Sequence, residues 1–106
     1  MSEKIILVEG KTDKLKLQKI LAEPVRIVCT YGTLSEEKLE QIIWPLQDEE
    51  VYVLVDADES GNKLRSQLKQ ELPNARQLYT RSMYGEVANT PETYLAALLL
   101  GEHFLI

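Results

Sequence analysis

Four short apolar runs alternate with four helix-patterned segments along this chain of 106 residues. Three of the runs are nearly continuous in hydrophobicity and rich in β-branched residues, which is typical of strands buried on both faces of a parallel sheet. The fourth is more polar and favours an edge position. The runs cover residues 4–8, 25–30, 51–55 and 76–80.

The segments between the runs change from a strand-like to a helical period. Apolar residues there recur three and four positions apart, as in amphipathic helices, while Pro24 and Pro73 each predict a helix end before the next strand. A β-α-β-α order implies parallel strands joined by right-handed crossovers. We therefore expect one domain over residues 1–106. It should be an α/β fold with a small doubly wound (Rossmann-like) four-stranded parallel sheet, βαβαβαβα, in strand order 2-1-3-4.

The formal net charge of −5 argues against a protein that coats nucleic acid through bulk positive charge, but not against a small acidic site that meets phosphate through a metal. The lone cysteine, Cys29, rules out an internal disulfide and fits a reducing, cytoplasmic compartment. The N-terminal apolar run is far too short for a signal peptide or a membrane span. We expect a cytoplasmic protein with no membrane association.

Acidic residues follow two of the predicted strands directly. Glu9 directly follows the first run, and Asp56 and Asp58 come after the third. If these strands are neighbours, the three carboxylates meet at the carboxyl edge of the sheet, where ligands bind in doubly wound folds. Carboxylate oxygens suit Mg²⁺ or Mn²⁺. The alternative is that Asp58 only caps the next helix and Asp56 only ends a strand.

The two acidic segments together resemble the Toprim domain. The stretches VEGKTDKL (8–15) and VDADESGNKLR (55–65) are similar to its glutamate after strand one and its Asp-x-Asp after strand three. That module is shared by type IA and type II topoisomerases, bacterial primases, overcoming-lysogenisation-defect nucleases and ribosomal-RNA maturases. The resemblance implies that Glu9 is a general acid/base in phosphoryl transfer and that Asp56 and Asp58 hold Mg²⁺.

Two neighbouring features refine this resemblance. Topoisomerases usually carry a third acid where Ser60 stands here, which favours the primase, maturase or small-nuclease branches. Gly10 would allow the sharp strand-to-helix turn and Gly61 a close approach near the third helix, while Gly32 lies in a loop, 30–33, that opens on the same edge.

Four basic residues lie at or beyond the predicted strand ends, around the acids. Long cationic side chains there could bind phosphates that flank a metal, although a solvated helix face would look the same in sequence. These candidate phosphate-binding residues are Lys11, Lys63, Arg65 and Arg81.

Other phosphate chemistries fit less well. Gly10-Lys11-Thr12 lacks the earlier glycine of a P-loop, and a receiver domain needs an acidic pair after strand one, whereas Asp13 falls within a predicted helix. Two functions remain: a small Mg²⁺-dependent nuclease, or a non-catalytic module that binds metal and phosphate within a larger nucleic-acid-processing assembly.

The C-terminal segment is apolar almost all round. Residues 93–100 (TYLAALLL) and the tail His103-Phe104-Leu105-Ile106 present more apolar surface than one sheet face can cover. We expect a homodimer through this segment. The competing expectation is that the tail folds back over the fourth strand and covers the helix within one chain.

Overall fold

The computed structural model describes residues 3–106 and contains a four-stranded, all-parallel sheet in the order β2-β1-β3-β4. The predicted α/β class and strand order are confirmed. Both ends of each strand lie within two residues of the predicted bounds. The strands are β1 (Lys4–Val8), β2 (Arg26–Cys29), β3 (Glu50–Leu54) and β4 (Arg76–Leu78).

Helices connect the strands as the periodicity indicates. They are α1 (Lys11–Ile20), α2 (Glu36–Lys38), α3 (Glu59–Glu71) and α4 (Glu92–Gly101). The helical period predicted around Leu39 and Leu46 is present but irregular, because α2 widens into a π turn over Leu39–Ile43 and tightens into a 3₁₀ turn over Trp44–Leu46. Pro45 in that last turn has no N–H to donate, so a regular helix cannot continue through it.

The sheet is covered on both faces, as a doubly wound fold requires. One apolar cluster joins β1 and β3 to α3 and the irregular α2 segment, and includes Ile43, Leu64 and Leu68. The other joins the opposite face of β1 and β3 to α1 and α4, and includes Leu17 and Leu99. Two 3₁₀ turns, Ser82–Tyr84 and Val87–Asn89, link β4 to α4.

The C-terminal tail completes the second cluster within the same chain. Phe104 is 1 % exposed and its ring meets that of Tyr52 edge-on, with centroids 4.8 Å apart. The Leu105 carbonyl accepts a hydrogen bond from Ala22 N–H just after α1. The tail thus folds back within one chain, as the competing expectation held. It contacts β3 through Tyr52 and the segment after α1, while Arg76 of β4 pairs with Glu102 just before the tail. Leu100 and Leu105 stay more than half exposed.

Within the described range, 3–106, none of the helices combines the length and the apolar character needed to span a bilayer.

Candidate active site

Glu9 directly follows β1, one of the two central strands, at the carboxyl edge of the sheet. Its Oε2 accepts a hydrogen bond of 2.7 Å from the backbone N–H of Asp56, two residues beyond the end of the neighbouring strand β3. Burial raises the pKa of Glu9 from 4.5 to about 7, and the nearby charges of Asp56 and Asp58 act in the same direction, while the backbone hydrogen bond opposes them. Glu9 can therefore take up and release a proton near neutral pH.

Asp56 ties the end of β3 to the loop that follows β4. Its Oδ1 accepts a 2.7 Å hydrogen bond from Val87 N–H, and the next residue, Ala57, donates to the carbonyl of Gly85 at 2.7 Å. The Val87–Asn89 turn is thereby folded back against the site. One Asp56 oxygen is committed to this loop, and the other has no N–H donor among residues 3–106.

Asp58 caps α3. Its Oδ1 accepts a 2.7 Å hydrogen bond from Gly61 N–H, so the capping alternative raised by the sequence describes a real contact. Gly61 itself is required for packing, because a Cβ there would lie 2.0 Å from the carbonyl oxygen of Asp56. The close approach expected at Gly61 is thus an approach to the backbone of a candidate metal ligand.

Asp13 is an acidic member of the site that the sequence interpretation set aside as a helix residue. It is 7 % exposed, and its Oδ2 accepts a 3.1 Å hydrogen bond from Gly10 N–H at the start of α1. Burial raises its pKa, and the charges of Asp56 and Glu86 raise it further. The available signal was its position three residues into α1, where an acid turns back toward the helix start.

Glu9, Asp13 and Asp56, but not Asp58, border an open cavity of about 570 Å³. Its lining combines the carboxyl ends of β1 and β3 with the loop after β2 and the turn after β4. The residues that line it are Glu9, Gly10, Lys11, Thr12, Asp13, Tyr31, Gly32, Asp56, Glu86 and Ala88.

The donor chemistry of the site fits a hard divalent ion. Glu9, Asp56 and Asp58 each use one carboxylate oxygen for a backbone N–H, which leaves each a second oxygen. Within residues 3–106 no three acidic, histidine or cysteine side chains converge closely enough to enclose an ion. An ion at this site would therefore be held by at most two of these side chains, with water completing its coordination.

The four predicted phosphate-binding residues are not equivalent in the structure. Lys11 and Arg81 are exposed, and Lys63 lines a small cavity together with Glu9. Arg65, by contrast, is 6 % exposed: its Nη1 donates a 2.9 Å hydrogen bond to Gln77 Oε1, and its guanidinium stacks 4.2 Å from the ring centroid of Tyr79. The structure therefore brings three of the four cations to the surface and buries Arg65 beneath β4.

The loop after β2 is held by Lys38, which the sequence interpretation missed. Lys38 Nζ donates to the carbonyls of Thr30 at 3.0 Å and Tyr31 at 2.9 Å, and more distantly to that of Thr33 at 3.4 Å. Gly32 in this loop has φ +99°, a conformation that glycine adopts without strain and other residues rarely do. No sequence signal distinguishes Lys38 from a solvated lysine, because its partners are backbone atoms.

Comparison with known proteins gives a consistent result. The family model of the Toprim domain matches residues 4–87. The chain is 51% identical over 98 residues to the uncharacterised protein YusF of Bacillus subtilis (strain 168), covering 92% of this chain and 67% of that one. It is 32% identical over 95 residues to ribonuclease M5 of Mycoplasma genitalium, covering 89% of this chain and 52%, about half, of that protein.

A solved structure resembles this one over nearly its full length. The small TOPRIM domain protein from Bacillus stearothermophilus superposes with a TM-score of 0.91 at 47% sequence identity. The match covers 99% of this chain and 89% of that one.

Proposed function

Because this chain belongs to the Toprim domain family, we propose that it is a small divalent-metal-dependent nuclease that cleaves nucleic-acid phosphodiesters. Toprim domains generally bind a divalent metal, and the ribonuclease M5 relatives are in keeping with a domain that acts on nucleic acid. The assignment of this chain as an active nuclease is our own.

The observation that carries the proposal is the placement of Glu9. Its side chain sits at the adjoining ends of β1 and β3, fixed to Asp56 N–H, at the floor of the cavity. In the metal-free site the pKa of Glu9 is raised to about 7, and a carboxyl group whose pKa lies above its usual range can serve as a general acid/base on a phosphodiester. A purely structural carboxylate would gain nothing from being partly buried among other acids.

Asp56 and Asp58 would hold the ion through their remaining oxygens. The ion, Mg²⁺ or Mn²⁺, would supply polarisation of the scissile phosphate. The chain's own contribution is to fix Asp56 through Val87 and Asp58 through Gly61, and to move a proton at Glu9. Lys11, Lys63 and Arg81 would contact flanking phosphates. Arg65, buried beneath β4, would orient Tyr79 and Gln77.

A cleavage assay tests the proposal directly. Labelled RNA and DNA of mixed structure should be cleaved by the wild type with Mg²⁺ or Mn²⁺ but not with EDTA. Glu9→Gln should lose at least about a hundredfold of the rate, as expected for removal of a general acid/base, and still bind substrate. Glu40→Gln, a change of the same kind at an exposed position, is the matched control. Equal rates for Glu9→Gln and wild type would refute the role of Glu9.

Metal binding has its own readout. Added Mg²⁺ or Mn²⁺ should raise the melting temperature, because an ion that binds only the folded state stabilises it. Asp56→Asn combined with Asp58→Asn should abolish that rise while preserving the cap of α3, since asparagine also caps helices well. An undiminished rise in the double variant would remove these residues as ligands.

A second candidate function is a non-catalytic module that binds metal and phosphate inside a larger assembly. The capping role of Asp58, which commits one of its oxygens to Gly61 N–H, favours it. This function predicts metal-dependent binding of nucleic acid by the wild type, with no cleavage under any divalent ion.

We also propose a cytoplasmic location, in keeping with the single cysteine, and a homodimer formed through the exposed C-terminal residues. Leu100 and Leu105 are 56% and 61% exposed, and a second copy would cover them. Light scattering should detect a dimer that Leu100→Glu dissociates. A wild-type monomer at micromolar concentration would refute the homodimer.

A further inference from the structure

Tyr31 presents an uncovered aromatic ring beside the candidate catalytic carboxylate. It directly follows the buried Thr30 after β2, is 65% exposed and lines the same cavity as Glu9 and Asp56. Its φ of +54° lies in the left-handed region, which side chains other than glycine rarely adopt. Neither a left-handed backbone nor an exposed aromatic ring stabilises the fold. Their combination at the edge of the site therefore favours a role in binding.

Two contacts hold Tyr31 in this position. Its N–H donates a 2.8 Å hydrogen bond to the carbonyl of Glu9, so the ring is anchored to the backbone of the candidate acid/base. Its carbonyl accepts from Lys38 Nζ, which also binds the preceding carbonyl. The ring is therefore preorganised, and the Lys38 ammonium is committed to the loop instead of to a ligand.

We propose that Tyr31 is a stacking platform for one unpaired base, so that the site takes a single-stranded or locally unpaired nucleic-acid strand. This inference rests on the proposed action on phosphodiesters and specifies its substrate class. Neighbouring strands lie about 4.8 Å apart, so a base on Tyr31 after β2 would lie about one nucleotide from a phosphate at the end of β1. A base within a duplex has both faces covered by its neighbours, and only an unpaired one can stack on a protein ring.

The test measures binding separately from cleavage. A fluorescent RNA about 12 nucleotides long, its DNA equivalent and their perfect duplexes would be titrated with Glu9→Gln protein, which should not cleave them. Adding Tyr31→Leu should weaken single-strand binding about 5- to 100-fold, the range that corresponds to loss of one stacked base. Tyr31→Phe should retain most of the affinity, because the ring remains. Trp44→Leu is the control, since this exposed aromatic lies beside Glu71 and not at the site.

Lys38→Met separates stacking from charge. It should also weaken single-strand binding, by loosening the loop, yet leave the dependence of log affinity on log salt unchanged. Lys11→Ala should instead reduce that slope by about 0.7, as expected for one phosphate contact on a single strand. A reduced slope in Lys38→Met would mean that Lys38 binds phosphate and would overturn its positioning role.

The outcomes distinguish this inference from the proposed function. If the wild type and Tyr31→Leu cleave at the same rate, the stacking proposal is overturned and the nuclease proposal stands. Tighter binding of the perfect duplex than of the single strand has the same consequence. Tyr31-dependent binding without any cleavage supports the stacking proposal and refutes the nuclease. Failure of the wild-type site to bind any of these probes, with metal present, overturns both.

Discussion

Removing the ionisable group at Glu9 should flatten the pH dependence of stability in metal-free buffer. The folded-state pKa of Glu9 is raised from 4.5 to about 7 by burial and by neighbouring acids. Between these two values the folded protein binds a proton that the unfolded chain releases. The favourable contribution of protonated Glu9 is fully present below pH 4.5 and is lost as the pH rises through about 7, so the free energy of unfolding falls over that interval.

The size of the effect follows from the environment of Glu9. In a fully buried site a pKa change this large would correspond to roughly 3 kcal/mol. Glu9 borders an open cavity and is only partly buried, so screening by water reduces this to about 1–1.5 kcal/mol. Glu9→Gln should therefore match the wild type near pH 4.5, the unperturbed value, and exceed its stability by about 1 kcal/mol at alkaline pH. The amide oxygen of glutamine can still accept the Asp56 N–H.

Urea denaturation with EDTA, followed by far-ultraviolet circular dichroism from about pH 5 to 8, measures this difference. Some pH dependence of the same sign should remain in Glu9→Gln, because burial also raises the pKa of Asp13. Glu40→Gln should follow the wild-type curve. An unchanged slope in Glu9→Gln, or a wild-type stability that rises over this range, would refute the assigned environment of Glu9.

Three further predictions concern the packing around the site. Gly61→Ala should destabilise the fold by about 2 kcal/mol or more, because the new Cβ would meet the Asp56 carbonyl. Gly101→Ala is the control and should be tolerated, because the space around its Cβ is open. Thermal melts compare the two variants. Asp58→Ala should cost about 1 kcal/mol in urea denaturation through loss of the α3 cap, and Asp58→Asn should largely retain that stability; equal losses would argue against capping. Phe104→Ala should cost about 3–5 kcal/mol if the tail is part of the core, and a loss below about 1 kcal/mol in the same assay would contradict its burial.

The parts of the fold that depend on repeated pattern could be predicted from the sequence. Continuous apolar runs around Ile6 and Val53 predicted buried parallel strands, and the acids after those strands were expected to meet because parallel strands end at one edge. The meeting of Glu9 with Asp56 follows from that topology alone. Which N–H donates to Glu9 depends on the three-dimensional arrangement of the backbone, and a sequence pattern does not show that arrangement.

The residues that the sequence did not assign correctly depend on contacts without a pattern. Lys38 donates to backbone carbonyls, and such partners leave no trace in residue identity. Asp13 did carry a signal, since the third residue of a helix is a position where an acid accepts from the helix start, but that signal does not show that its side chain borders the site. Arg65 was expected at the surface because arginine is seldom buried, yet Gln77 and Tyr79 together cover its guanidinium. The sequence also did not determine the path of the C-terminal tail. The position of Phe104 depends on a contact with Tyr52, and no sequence pattern indicates that contact.

The two outer strands of the sheet have a consequence for solubility. An open strand edge can pair with a strand from another molecule and so begin a growing aggregate. Here β2 has four residues and β4 has three, and each begins with an exposed arginine, Arg26 and Arg76. An incoming strand would gain few hydrogen bonds and would have to accommodate a cation at the start of each edge. The protein can thus leave both edges uncovered without offering either as a template for uncontrolled self-association.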